Sequence, residues 1–170
     1  MSGKKLSSVS LLVDTVTTKF GDLILETTVS RDEVTHVVDR ERLLDICTYL
    51  KNDSQFQFNF LSDLLAVDCH RAVPRFEVVY QLYSIPKKHR LRLKVRVDEG
   101  ESVPSVTSLW RSADWAEREA YDMIGVTFDG HPNLTRIYLP SDWDGFPLRK
   151  DYPLRGYKDQ YNPFGEEKKQ

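Results

Sequence analysis

Cysteine is scarce in this chain of 170 residues: Cys47 and Cys69 stand apart, and no CxxC pairs them. A disulfide framework, an iron-sulfur cluster and a thiolate zinc site are therefore not indicated. Long apolar runs are missing as well. Nothing approaches the ~18 residues that cross a bilayer, and the opening MSGKKLSSVS lacks the apolar heart of a secretion signal, so a cytoplasmic location is expected. A dominant charge is the third absence. The net charge of −2 and pI near 6.1 give no global field to draw nucleic acid or an anionic membrane. His36, His70, His89 and His131 have no ligand spacing among themselves, and no metal centre is expected.

What remains is an ordinary globular composition, 40% hydrophobic and 29% charged, in a length that suits one domain with a proper core. The charges are unevenly placed. Arg71 to Arg96 holds eight Lys or Arg against the single acid Glu77, whereas Asp98 to Asp122 holds seven acids against Arg111 and Arg118. One face is expected to be basic.

Hydrophobic periodicity orders the elements. Val9, Leu12, Val13 and Val16 predict a helix over Ser7 to Lys19, closed by Gly21. Leu23 to Ser30 and Glu33 to Val38 read as a hairpin about Arg31-Asp32. Asp39 can cap a helix from Arg40 to Lys51 with Cys47 on its apolar stripe. Phe56, Phe58 and Phe60 alternate with polar residues and predict a strand, and Leu61 to Asp68 a short turn or helix. Arg75 to Tyr83 and Arg90 to Val97 are the clearest strands, an antiparallel pair. In the second, Leu91, Leu93, Val95 and Val97 face one way and Arg90, Arg92, Lys94 and Arg96 the other. That basic row reads either as a solvated outer face or as a contact for an acidic neighbour.

Pro104 can start a short helix to Trp110, and a second helix is predicted from Asp114 to Ile124, ended by Gly125 and followed by a short strand, Val126 to Phe128. Asp114 and Glu117 have the spacing of a capping box. Asp114, Arg118 and Asp122, four apart, are expected to stack as an acid-base-acid ladder. Glu117 and Glu119 point to nearly opposite sides of the helix and cannot work as a paired acid and base. His131 beside Asp129 is a weak general-base candidate, since no nucleophile or metal cluster adjoins it in sequence.

From Tyr138 onward aromatics (Tyr138, Trp143, Phe146, Tyr152, Tyr157, Tyr161, Phe164) alternate with prolines and glycines around the basic pair Arg149-Lys150. Proline forbids long helices or central strands here, and disordered tails are normally poor in aromatics. Such a segment wraps a surface, either that of its own domain or that of a partner. The fold class expected is α+β: a single domain over residues 1–139, with helices on a mixed or antiparallel sheet, followed by an extended tail over 140–170.

EREAYDMIGVTFDGHPNLTRIYLP followed by DWDGFPLRKDYPLRGY resembles the signature of the 30-kDa subunit family of respiratory complex I, the C-type subunit of bacterial NADH:quinone oxidoreductases. FNFLSDLLAVD, RFEVVYQLYS and HRLRLKV are similar to that family in the same order, from about Phe20 to Tyr157. The matched positions are Glu117, Arg118, Glu119, Asp122, His131, Arg136, Ile137, Arg149, Lys150, Asp151 and Tyr152, with Trp143 in the same signature stretch. Thr135 departs from the basic residue or proline common there, and Arg111 from a proline.

The resemblance implies a non-catalytic assembly subunit in the peripheral arm of a proton-translocating enzyme. It would dock on the 49-kDa-type (D-type) subunit, near subunits of the B and I types, with those residues as interface or signature positions. It implies no cofactor in this chain, FMN and iron-sulfur clusters being carried by neighbours, and a peripheral place on the cytoplasmic side of the bacterial inner membrane. The end at Gln170 matches the stand-alone form and not the form fused to the 49-kDa partner. A homologous subunit of an energy-converting hydrogenase or a ferredoxin-dependent complex is the alternative. A free-standing enzyme using His131 and Asp129 is a third reading.

Overall fold

The computed structural model describes residues 3–159 and 162–167, with side chains from Val9 onward. Tyr161, expected among the aromatic anchors, lies outside the described residues. Helix α1 runs from Gly3 to Phe20 and buries Leu12 and Val16. It ends where Gly21 takes a left-handed conformation, φ 49°, as that residue permits. Strands β1 (Ile24–Ser30) and β2 (Glu33–Val38) form the expected hairpin, with both Arg31 and Asp32 at positive φ, as a two-residue primed turn demands. Asp39 caps as predicted, its Oδ1 accepting Glu41 N–H at 2.8 Å. The element it starts is a 3₁₀ turn, Arg40–Arg42, that leads into helix α2 (Leu43–Asn52).

Strands β3 (Phe60–Asp68), β4 (Phe76–Ser84) and β5 (His89–Val97) complete a five-stranded sheet in the order β1-β2-β5-β4-β3. It is antiparallel except for the parallel β2–β5 pair. A small parallel pair follows, β6 (Ser102–Pro104) with β7 (Thr127–Asp129), and helix α3 (Ala113–Ile124) lies between them in sequence. The protein is thus a single α+β domain with a mixed sheet and three helices. One face of the sheet builds the core: Leu91, Leu93, Val95 and Val97 meet Val78, Tyr80, Leu82 and the buried residues of α1, α2 and α3. No helix among the described residues is long and apolar enough to cross a membrane.

Three local predictions need correction. Phe56 and Phe58 are fully buried, but in a turn and not a strand, because Gln57 sits at φ 48° and breaks the alternation. Phe60 then points to the other side, exposed, at the start of β3. Leu61 to Asp68, expected as a turn or helix, is strand, because pairing with β4 along its whole length outweighs its local preference. Pro104 ends β6 instead of starting a helix, and Trp110 closes a single turn through Val106 C=O.

Three of the four basic side chains in the β5 row are neutralised within the sheet. Arg92 pairs with Glu33 at 3.1 Å, Lys94 with Glu77 at 2.7 Å, and Arg96 with both Glu77 and Glu26. Arg90 stacks on Tyr83 at 5.2 Å. These contacts favour the solvated-face reading over a contact for an acidic neighbour.

Candidate functional site

The residues singled out from the sequence gather around α3 and the chain that returns along it. The helix begins at Ala113, so Asp114 lies inside its first turn and closes no capping box; Ser112 stands at the N-cap but its hydroxyl donates to the Leu61 carbonyl at 3.2 Å instead of capping the helix. The acid-base-acid ladder is also absent. Asp114 turns to His131, Asp122 takes Arg136, and Arg118 bonds to backbone and hydroxyl oxygens of the returning loop. Tertiary partners displaced the i,i+4 contacts, which are worth only a few tenths of a kcal/mol in isolation.

Glu117 and Glu119 do point apart, and the buried one is Glu117. Its Oε1 accepts the Val106 N–H at 2.8 Å, which fixes the segment after β6 against α3. Burial pushes this carboxyl up, with Ser105, the Val106 N–H and His131 working the other way. The His131 side chain is also sealed from solvent, its Nε2 4.0 Å from Glu117 Oε2. Its Nδ1 accepts the Asn133 N–H at 3.0 Å, so Nε2 carries the proton and donates to the Asp114 carbonyl at 3.2 Å. Asp129 is not among these partners, and both ring nitrogens of His131 are engaged by groups of its own chain.

Asp122 is the first of two carboxylate hubs. Its Oδ2 accepts the N–H groups of Ile137, Tyr138 and Leu139 at 3.0, 2.7 and 3.1 Å, and its Oδ1 accepts Arg136 Nη1 at 2.7 Å. Burial opposes its ionisation. The Arg136 guanidinium and the three backbone donors outweigh that and hold the carboxyl below the usual range. Arg136 extends the hub forward, donating through Nη2 to the carbonyls of Trp143 and Gly145, both at 3.2 Å.

The second hub is Asp68 at the end of β3. It takes Arg75 through two bonds, at 3.0 and 2.9 Å, and the Lys150 N–H at 2.8 Å. Arg75 in turn holds Asp151 at 2.9 Å. Between the hubs, Arg149 donates to the Ile124 carbonyl at 2.7 Å and pairs with Glu99. Its guanidinium lies over Phe146 at 4.4 Å and Phe76 at 5.1 Å. Gly125 makes this approach possible. At φ 85° it ends α3, and a Cβ there would stand 2.6 Å from the Phe146 ring and 2.7 Å from Arg149 Nη2. Tyr152 closes the strap edge-on to Tyr157 at 5.2 Å.

Residues 136–152 are therefore strapped to the chain's own domain, with Arg136, Arg149 and Asp151 holding ion pairs and Lys150 contributing its backbone while its side chain stays exposed. Glu119 is exposed, its Oε2 3.5 Å from the Tyr138 hydroxyl. Asp68, Arg75 and Glu99 belong to the same network but were not recognisable from sequence. They lie 50 to 82 residues from most of their strap partners, and only the fold joins them. No group of three or more His, Cys, Asp or Glu among the described residues could hold a metal ion. The Cys47 thiol is buried and pushed up by that burial, the state of an inert core cysteine.

The fold and its hubs define a class: a single α+β domain whose C-terminal chain is fastened across one helix by buried charge. Residues 36–158 match the family described as the 30 Kd subunit of respiratory-chain NADH dehydrogenase. The chain is 50% identical over 149 residues to the C-type subunit 2 of the NADH-quinone oxidoreductase of Rhizobium etli (strain CIAT 652), covering 88% of this chain and 80% of that one. It is 52% identical over 130 residues to the corresponding C-type subunit 2 of Rhizobium meliloti (strain 1021), covering 76% and 71%. To the C-type subunit of the Geobacter sulfurreducens enzyme it is 51% identical over 140 residues, covering 81% and 85%. The chain belongs to the 30-kDa subunit family of the respiratory-chain NADH dehydrogenase, and so to a hetero-oligomeric enzyme complex.

Proposed function

We propose that this chain is a non-catalytic assembly subunit of a proton-translocating NADH:quinone oxidoreductase, docked on the 49-kDa-type subunit on the cytoplasmic side of the membrane. It carries no electrons itself; flavin and iron-sulfur clusters sit in its neighbours. The names of the three relatives above, NADH-quinone oxidoreductase subunits, favour this complex over a hydrogenase or a ferredoxin-dependent enzyme.

The observation that carries the reading is the chain beyond the strap. Leu154 and Phe164 present apolar side chains to solvent there, Leu154 fully and Phe164 at 87%, and Leu148 within the strap is exposed as well. A turn-rich segment that closes on itself and leaves apolar anchors protruding suits capture by a groove on another subunit.

Affinity purification from the native membrane tests this. The full chain is expected to bring down the subunits of an NADH:quinone oxidoreductase. A chain ended after Pro153, which keeps both hubs, is expected to fold with an unchanged thermal midpoint and lose the 49-kDa-type partner. Undiminished recovery of that partner by the shortened chain would sink the docking role of the tail.

A further inference from the structure

One arginine in the site is held without being neutralised. Arg118 donates through Nε to the Thr135 carbonyl at 3.0 Å, and through Nη2 to the Thr135 hydroxyl at 2.9 Å and the Arg136 carbonyl at 3.3 Å. All three acceptors are uncharged. Among the described residues no ion pair involves it: Asp122 is occupied by Arg136, and Asp114 lies against His131. Arg136 and Arg149 each meet a carboxylate within their own chain. Arg118 differs in having fixed geometry and an unmatched charge.

Its surroundings are those of a binding anchor. The guanidinium lies 4.9 Å from the ring of Trp115, an indole 63% exposed on the same helix. Tyr138, 65% exposed, borders the patch through its contact with Glu119. Tryptophan, tyrosine and arginine are the residue types that dominate interface energetics, most of all when they are rigid before binding. Nη1 has no hydrogen bond among the described residues and remains free to donate.

We propose that Trp115 and Arg118 form a docking surface, separate from the tail, that receives a carboxylate side chain of a neighbouring subunit. The carboxylate would take Arg118 Nη1 while an apolar part of the partner covers the indole. A protein acid fits better than a lipid phosphate. Glu119 and Asp114 flank the arginine, and those charges oppose a phosphate-covered surface but leave room for one aimed carboxylate. The proposal rests on the assembly role above and names where a partner other than the tail's groove would sit.

Zero-length carbodiimide coupling reads the proposed contact directly. In the Arg118→Lys chain, purified within its native-membrane complex, the substituted amine is expected to form an isopeptide bond with an Asp or Glu of another subunit, located by peptide mass spectrometry. In parallel, Arg118→Gln and Trp115→Ala should each reduce recovery of partner subunits about tenfold, with the thermal midpoint of the free chain shifted by no more than a few degrees. Coupling of that amine only within its own chain, together with wild-type recovery by both variants, would overturn the surface while leaving the tail reading intact. Arg118-dependent sedimentation with anionic-lipid vesicles would also overturn it. Absence of NADH:quinone oxidoreductase subunits from the wild-type preparation would strike the assembly role itself.

Discussion

Residues 136–152 and residues 153–167 have the same kind of sequence, rich in proline, glycine and aromatics with scattered charge, yet they behave differently. The first stretch is pinned at both ends by carboxylates that are buried on the domain: Asp122 takes Arg136 and three backbone donors, and Asp68 takes Arg75 and the Lys150 N–H. Among its described residues the second closes on itself through the bridge from Tyr157 to Glu166, touches the strap where Tyr157 meets Tyr152, and leaves Leu154 and Phe164 in solvent. Composition does not separate a strap from an arm. The presence or absence of a waiting buried acceptor does.

Breaking the first hub is the most severe test of that contrast. Asp122→Asn leaves Arg136 without its counter-charge and is expected to cost about 3–5 kcal/mol, the range for removing one partner of a buried pair. Urea unfolding of parent and variant measures it. A loss under about 1 kcal/mol would place Asp122 among ordinary hydrogen bonds.

The second hub adds a pH signature. Arg75 is the main cause holding the Asp68 carboxyl far below the usual range, against burial, with the Lys150 and His70 N–H groups assisting. A depressed folded pKa means that the unfolded chain binds the proton more readily. This stability is complete above the unfolded value of about 3.9 and is lost as pH falls from there through the folded value. Asp68→Asn is expected to cost about 2–3 kcal/mol at pH 7 and to flatten the decline below about pH 4 that the parent shows. Parallel declines in urea midpoints at pH 7, 4 and 3 would assign the acid limb to other groups.

The smallest effect on stability belongs to the arm. Leu154→Ser removes an apolar side chain that touches solvent on all sides, and the isolated chain should change by less than about 0.5 kcal/mol. Recovery of partner subunits should still fall. A clear drop in the thermal midpoint would show that the arm braces its own domain as the strap does, and the contrast between the two stretches would dissolve.

Much of this was legible in the chain. The hairpin at Arg31-Asp32, the β4–β5 pair, the cap at Asp39 and the end of α3 at Gly125 each follow from a period or a turn residue within ten positions. The helical spacing also separated Glu117 from Glu119, although it could not say which was buried. The turn-or-helix reading of Leu61 to Asp68 and the Asp114 ladder took local spacing as sufficient where a distant partner decided the outcome. The Phe56 alternation failed more locally, at the positive φ of Gln57.

The sequence by itself determined the α+β class, the order of the elements and the family, because periodicity and a long run of matched residues are properties of the chain. Only the tertiary structure decided which charges are spent internally and which stay open. Arg92, Lys94 and Arg96 of the β5 row, conspicuous in sequence, are neutralised by Glu26, Glu33 and Glu77, whereas Arg118, embedded between two acids, is left unpaired. Ion pairing depends on which groups come within about 4 Å, and strand order and the path of the returning loop set that distance.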